Sequence, residues 1–168
     1  MTAGARRPVI AVIGARQARP EDERAAEQVG RLLAERGAVL LCGGRGGVMD
    51  AACRGAAQGD GISIGLLPGE DALDANPHLT VAMPTGLGHA RNAVVVLAAS
   101  AVIAVGGGTG TLSEIALGLK SGKRVIGLGT WEAHDASGAP ADIRAAASPQ
   151  EAVDLALGTG LPGQDGGP

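Results

Sequence analysis

Phenylalanine and tyrosine are missing from this chain, and Trp131 is its only aromatic residue. A core without rings must be built from Ala, Val, Leu and Ile, and recognition of nucleic acid by stacking bases on aromatic side chains is not expected. Positive charge is short as well. The 14 Lys and Arg face 17 Asp and Glu, a formal net charge of -3, so no basic field recruits DNA or RNA, and no nucleic-acid partner is expected. The two cysteines, Cys42 and Cys53, have neither metal-ligand spacing nor a disulfide framework. Each is expected to be a small buried hydrophobe, and no metal site is expected. No stretch approaches the roughly 20 apolar residues of a membrane span, so no membrane partner is expected. Arg6-Arg7 precede an apolar run that ends near Ala15, too short for an export signal; a cytoplasmic location follows as the expectation.

Signature motifs are missing too. Gly14-Ala15-Arg16 lacks the G-x-G-x-x-G of dinucleotide-binding proteins, and no Walker lysine, nucleophile elbow or histidine cluster occurs. These gaps argue against a dehydrogenase, a P-loop kinase, a serine hydrolase and a metalloenzyme.

What the chain does contain is a regular alternation. With 168 residues, 45% of them hydrophobic, it suits one domain with a real core. The apolar runs Val9–Ile13, Ala38–Cys42, Ile62–Leu67, Ala101–Val105 and Arg124–Leu128 read as buried strands, with a short extended piece at Leu79–Met83. Helical spacing is expected over Glu21–Arg36, Val48–Gln58, Gly86–Ala99 and from Thr111 onward. Ser148-Pro149-Gln150-Glu151 has capping-box spacing before a last helix ending near Leu157. Trp131–Ala141 reads as loop. The expected organisation is a flexible arm at residues 1–7, a Rossmann-like domain over 8–157 and a disordered Gly- and Pro-rich tail at 158–168. The fold class is α/β, a single domain with a parallel sheet covered by helices on both faces. Right-handed crossovers bring the glycine-rich turns to one crevice beyond the carboxyl ends of the strands.

Two of those turns carry the chemistry. In Val105-Gly106-Gly107-Gly108-Thr109-Gly110-Thr111-Leu112-Ser113-Glu114 a buried strand runs through glycines into a helix. Unpaired N–H groups and a positive helix end then meet at one spot suited to phosphate. Gly43-Gly44-Arg45-Gly46-Gly47 fits either close approach to a ligand or a tight packing turn. Thr111-Leu112-Ser113-Glu114 matches a capping box, in which Glu114 satisfies a backbone N–H; the alternative puts its carboxylate at the mouth of the anion loop, where it could bind ribose hydroxyls or steady a cationic sugar transition state. Arg91 lies at a predicted helix start, where a cation is mildly unfavourable unless an anion or carboxylate offsets it. His89 beside it reads as a local hydrogen-bonding residue, and His78 and His134 lie in loops with no partner visible from sequence.

Gly43 to Met49, Ala90-Arg91-Asn92 and Gly106 to Glu114, in that order, resemble the Lonely Guy (LOG) family, long mislabelled lysine decarboxylases. The resemblance spans Val9 to Leu128 and is closest to the branch that includes molybdenum-cofactor carrier proteins. It implies a Rossmann-like homodimer or higher homo-oligomer. It also implies catalytic roles for Arg91 and Glu114, and a ligand or phosphate site at Gly14, Gly43, Gly44, Gly47, Met49, Asn92, Gly107, Gly108, Thr109, Gly110 and Thr111. In the hydrolase branch the activity is nucleoside 5′-monophosphate phosphoribohydrolase, which releases base and ribose 5-phosphate and requires no cofactor. In the carrier branch the partner is a pterin phosphate such as molybdenum cofactor, held without chemistry. Val105-Gly106 in place of Pro-Gly, and Asn92 in place of Lys, resemble the carrier branch; phosphate binding is common to both.

Overall fold

The computed structural model of the protein describes residues 6–159. The expected arm lies outside these residues except for Arg6 and Arg7, and so does the expected tail beyond Thr159. The chain runs β1 (Val9–Gly14), α1 (Pro20–Glu35), β2 (Val39–Cys42), α2 (Val48–Gln58), β3 (Ile62–Leu67), β4 (Val81–Pro84), a short 3-10 turn (Gly88–Ala90), α3 (Arg91–Ala98), β5 (Ala101–Val105), α4 (Thr109–Lys120), β6 (Arg124–Leu128), β7 (Ile143–Ala145) and α5 (Pro149–Leu157). No described helix is long and apolar enough to cross a membrane.

The strands form one seven-stranded sheet in the order β4-β3-β2-β1-β5-β6-β7, with every neighbouring pair parallel. This is the expected single-domain Rossmann-like fold. Side chains alternate across each strand, so the sheet feeds two cores. Ile10, Val12, Leu40, Cys42, Ile103 and Ile126 face one layer, which α1, α2 and α5 cover. Ala11, Ile13, Leu41, Val102 and Val125 face the other, under α3 and α4. Cys42 and Cys53 are both fully buried free thiols in the first layer, with their Sγ atoms 3.6 Å apart.

Strand order reverses between β1 and β5, where Gly14 pairs with Val105. At such a switch point the loops leaving the two strands diverge to opposite faces and open a crevice between them.

The helix boundaries differ from expectation where glycine intervenes. The helix expected from Gly86 starts only at Arg91, because Gly86 and Gly88 take left-handed backbone angles and a 3-10 turn follows. Its β-branched run is nevertheless helical, with Val95 and Val96 fully buried against the sheet. The helix expected from Thr111 starts two residues earlier, at Thr109. β7 has no counterpart in the expectations: it is a three-residue edge strand, too short to show a period. At α5 the capping spacing is realised. Ser148 Oγ accepts the Glu151 N–H at 3.2 Å, while the Glu151 carboxylate accepts the Ala147 N–H at 2.7 Å.

α1 and α2 cross closely at Gly30 and Gly55. A Cβ on Gly30 would overlap the Ala52 carbonyl, and one on Gly55 would overlap the Glu27 carbonyl. Gly30→Ala and Gly55→Ala are each expected to cost about 1–3 kcal/mol in urea unfolding. Gly46→Ala, whose Cβ would meet nothing closer than the Arg16 carbonyl oxygen at 3.6 Å, is the control that leaves stability near wild type.

Candidate functional site

Three turns leave the carboxyl ends of β1, β2 and β5 and enclose a cavity of about 320 Å³ at the switch point. Of the residues singled out in the sequence, Gly14, Gly43, Met49, Arg91, Asn92, Gly108, Thr109, Gly110, Thr111 and Glu114 line it. Gly44, Gly47 and Gly107 do not. Gly44 backs onto Gly65 and Leu67, Gly47 abuts the Ala15 and Arg16 carbonyls at the start of α2, and Gly107 packs over the Thr111 side chain. Arg16 and Arg45 also line the cavity and went unassigned at the sequence level. The signal for Arg45 was its place inside a glycine turn; for Arg16 no sequence pattern pointed to the site.

The loop expected to hold an anion is built by the turn from β5 into α4. Gly107 sits at φ +104, open only to glycine at ordinary cost. Gly108 caps the helix and has no side chain to cover it. The first-turn N–H groups, those of Thr109, Gly110 and Thr111, have no acceptor within the helix and face the cavity at the positive end of the helix dipole. The loop is braced from the β6 side. Gly106 N–H donates to Leu128 O at 3.1 Å, Thr130 Oγ1 donates to Gly106 O, and Trp131 Nε1 donates to Gly108 O at 3.1 Å.

Thr111-to-Glu114 is not a capping box. Thr111 is the third residue of α4 and buried, and the cap position is Gly108. One turn further in, the Glu114 side chain accepts no hydrogen bond from the start of α4. It is instead buried in the cavity wall, with 9% of the residue exposed. Burial pushes its carboxyl up to about 7, against the opposing pull of the Arg91 charge.

Arg91 is the first residue of α3 and only 8% exposed. Its guanidinium lies against the Gly43 backbone, where a Cβ would overlap it, with Met49 Sδ beside it. Gly43 is therefore glycine because a side chain there would evict the arginine. Arg91 Nε is buried and has no hydrogen-bond partner. Burial lowers the Arg91 pKa, with the Glu114 charge partly restoring it. Arg45, at the cavity rim, pairs with Asp74 at 2.6 Å, and its own Nε is likewise buried without a partner. The cavity thus collects three arginines, the starts of α3 and α4 and a single carboxyl group that burial tends to neutralise. That balance suits an anion, and a phosphate in particular.

No histidine lines this cavity. His78 Nδ1 lies 3.0 Å from Asp50 Oδ1 on α2, and His134 is in the loop between β6 and β7. His89 is exposed in the 3-10 turn before α3 and does not line the cavity.

Residues 7–153 match the SLOG cluster4 family. An uncharacterized protein of Archaeoglobus fulgidus is 47% identical over 119 residues, covering 71% of this chain and 78% of that protein. Among solved structures, the molybdenum cofactor binding protein of the phototrophic bacterium Rippkaea orientalis superposes with a TM-score of 0.82 at 39% identity, over 91% of this chain and 97% of that one. The molybdenum cofactor carrier protein of Chlamydomonas reinhardtii gives 0.79 at 32% identity, over 91% and 98%.

The raised carboxyl of Glu114 makes stability depend on pH. Between about 4.5 and about 7 the folded chain holds a proton there that the unfolded chain releases, so stability falls as pH rises through that window. Relative to Glu114→Gln, which cannot ionise, the wild type should lose on the order of 3 kcal/mol between about pH 5 and about pH 8. Urea unfolding of both proteins at the two pH values measures it; parallel profiles would refute the burial of this carboxyl.

Proposed function

The chain belongs to the SLOG cluster4 family, and from that premise we propose that it is a binding or carrier protein for a phosphorylated pterin of the molybdenum-cofactor type, which it holds without chemistry. The observation that carries the reading is Arg91. A guanidinium kept nine-tenths buried, with an orphaned Nε, beside the free N–H groups of an α4 start, is a site prepared for an anion. The phosphate of the ligand rests on Thr109, Gly110 and Thr111, and Arg91 donates to it. Protonation of Glu114, whose carboxyl burial raises to about 7, removes the one repulsive charge from the wall. Asn92 and the Gly106-Gly107-Gly108 triplet, the departures from the hydrolase motifs, support the carrier reading, as do the molybdenum-cofactor proteins among its structural relatives.

A second reading, the nucleoside 5′-monophosphate phosphoribohydrolase, is favoured by one observation. Arg91 and Glu114 line the same cavity, close enough for each to perturb the other's ionisation. A carboxyl near 7 could steady an oxocarbenium-like sugar and help position water. Homo-oligomerisation belongs to the same proposal. Val81 and Met83 on edge strand β4, Leu87, and Val94 and Leu97 on α3 are 40–50% exposed, an apolar surface that a second copy would cover.

Calorimetric titration with a phosphorylated pterin should show saturable binding that inorganic phosphate competes away. Arg91→Ala should weaken it about 10- to 100-fold, the worth of a charge-assisted hydrogen bond to a buried cation. Incubation with AMP should release no base above a Glu114→Ala control. Glu114-dependent release of base and ribose 5-phosphate would replace the carrier by the hydrolase, and failure of any phosphate ester to bind would overturn both.

A further inference from the structure

A second cavity of about 320 Å³ opens at the same end of the sheet, under the loop that joins β6 to β7. Its walls are the indole of Trp131, the aliphatic side chains of Ile143 and Ala145, and the polar Thr130, Glu132 and His134. A shallow cleft lined by Arg19, Gly106, Gly107, Gly129, Thr130 and Trp131 adjoins this cavity, sharing Gly129, Thr130 and Trp131 with it. The glycine turn borders both cavities: Gly108 lines the first, and Trp131, which lines the second, is bonded to the Gly108 carbonyl.

Trp131 is the one aromatic residue in 168, and the core does not use it. Both core layers are filled by Val, Ile, Leu and Ala, while Trp131 keeps 37% of its surface exposed. A tryptophan is costly to leave in water. This one is also held in place, because its Nε1–H donates to Gly108 O, the cap residue of α4. That bond satisfies its polar edge. An oriented, partly exposed indole beside a cavity with aliphatic and hydrogen-bonding walls has the features of a stacking wall for a flat ring that carries polar edges.

We propose that this cavity receives the flat nitrogen heterocycle of the ligand, with Trp131 as the stacking wall, while the phosphate sits at the start of α4. Glu132 and His134 supply acceptor and donor positions for the ring edge, and the Thr130 oxygen, whose own proton goes to Gly106 O, can accept there as well. The assignment rests on the phosphate-ester reading above and extends it to the other half of the ligand. It concerns a small-molecule ring only, since the chain presents no second aromatic to continue a stack along a nucleic-acid strand.

The test titrates the full chain with three probes: inorganic phosphate, an unphosphorylated pterin and a phosphorylated pterin. The variants are Trp131→Ala, Trp131→Phe and Ala145→Leu, the last filling the cavity from the opposite wall without touching the anion loop. The wild type should bind the phosphorylated pterin more tightly than either fragment, with quenching of its single tryptophan's emission. Ala145→Leu should weaken phosphorylated pterin about tenfold and leave the phosphate affinity within about twofold; Trp131→Ala should weaken the pterin more than the phosphate, whereas Trp131→Phe, which also loses the bond to Gly108 O but keeps a ring, should retain most of the pterin affinity. Unchanged pterin affinity in both Trp131→Ala and Ala145→Leu overturns the proposal. So does an equal loss of phosphate and pterin binding in Trp131→Ala, which would make the indole only a brace for the Gly108 loop. Phosphate binding by the wild type decides the anion site separately, so the two readings can fail independently.

Discussion

A core without aromatic rings has to be closed by bringing backbones together. Here glycine and alanine do that work. α1 meets α2 so closely at Gly30 and Gly55 that each Cα faces a carbonyl oxygen of the other helix. The same economy of volume reaches the site, where Gly14 makes room for Val48 and Gly43 for the Arg91 guanidinium. Packing density and site geometry are therefore one constraint, since any side chain at these positions would push apart the elements that hold the cavity.

Within that frame the electrostatics of the cavity are unbalanced by design of the fold. Arg91 is desolvated and one of its donors is unpaired. Glu114, the one carboxyl group on the wall, is also desolvated, and its pKa rises instead of forming a tight ion pair. Each burial is costly alone. Together they leave an enclosed spot where a negatively charged group would find a guanidinium, three helix-start N–H groups and a carboxyl already near neutrality. The loop between β6 and β7 braces this spot through Leu128, Thr130 and Trp131, so the far half of the sheet takes part in shaping it.

The alternation of apolar runs with helical spacing was legible without coordinates, and so were the parallel sheet and the meeting of glycine turns at one crevice. So was the cap of α5, because Ser148 and Glu151 act on backbone groups within four residues of themselves. Legibility failed where a residue's role depends on something distant in sequence. Thr111 to Glu114 has capping-box spacing, but the positive-φ glycines before it let α4 begin at Thr109 and turn Glu114 inward. β7 exists because β6 offers it an edge, through the pairs Val125–Ile143 and Gly127–Ala145, and not because three residues favour a strand. Arg45 and Arg16 reach the cavity because β1 and β2 are neighbours.

What the sequence determined by itself is local and periodic: strands buried on both faces, helices with one apolar side, and a glycine-rich turn that leaves the N–H groups of a helix start without a side-chain cap. Only the tertiary structure decided that Arg91, from the other side of the sheet order, comes to that turn with an orphaned Nε, that Glu114 is a buried acid and no cap, and that the single tryptophan stays outside the core, bonded to the Gly108 carbonyl. The physical reason is that burial and charge separation are properties of an assembled crevice. Desolvation, which sets both the unpaired cation and the raised carboxyl, arises only when β1, β2, β5 and the starts of α3 and α4 close around the same volume.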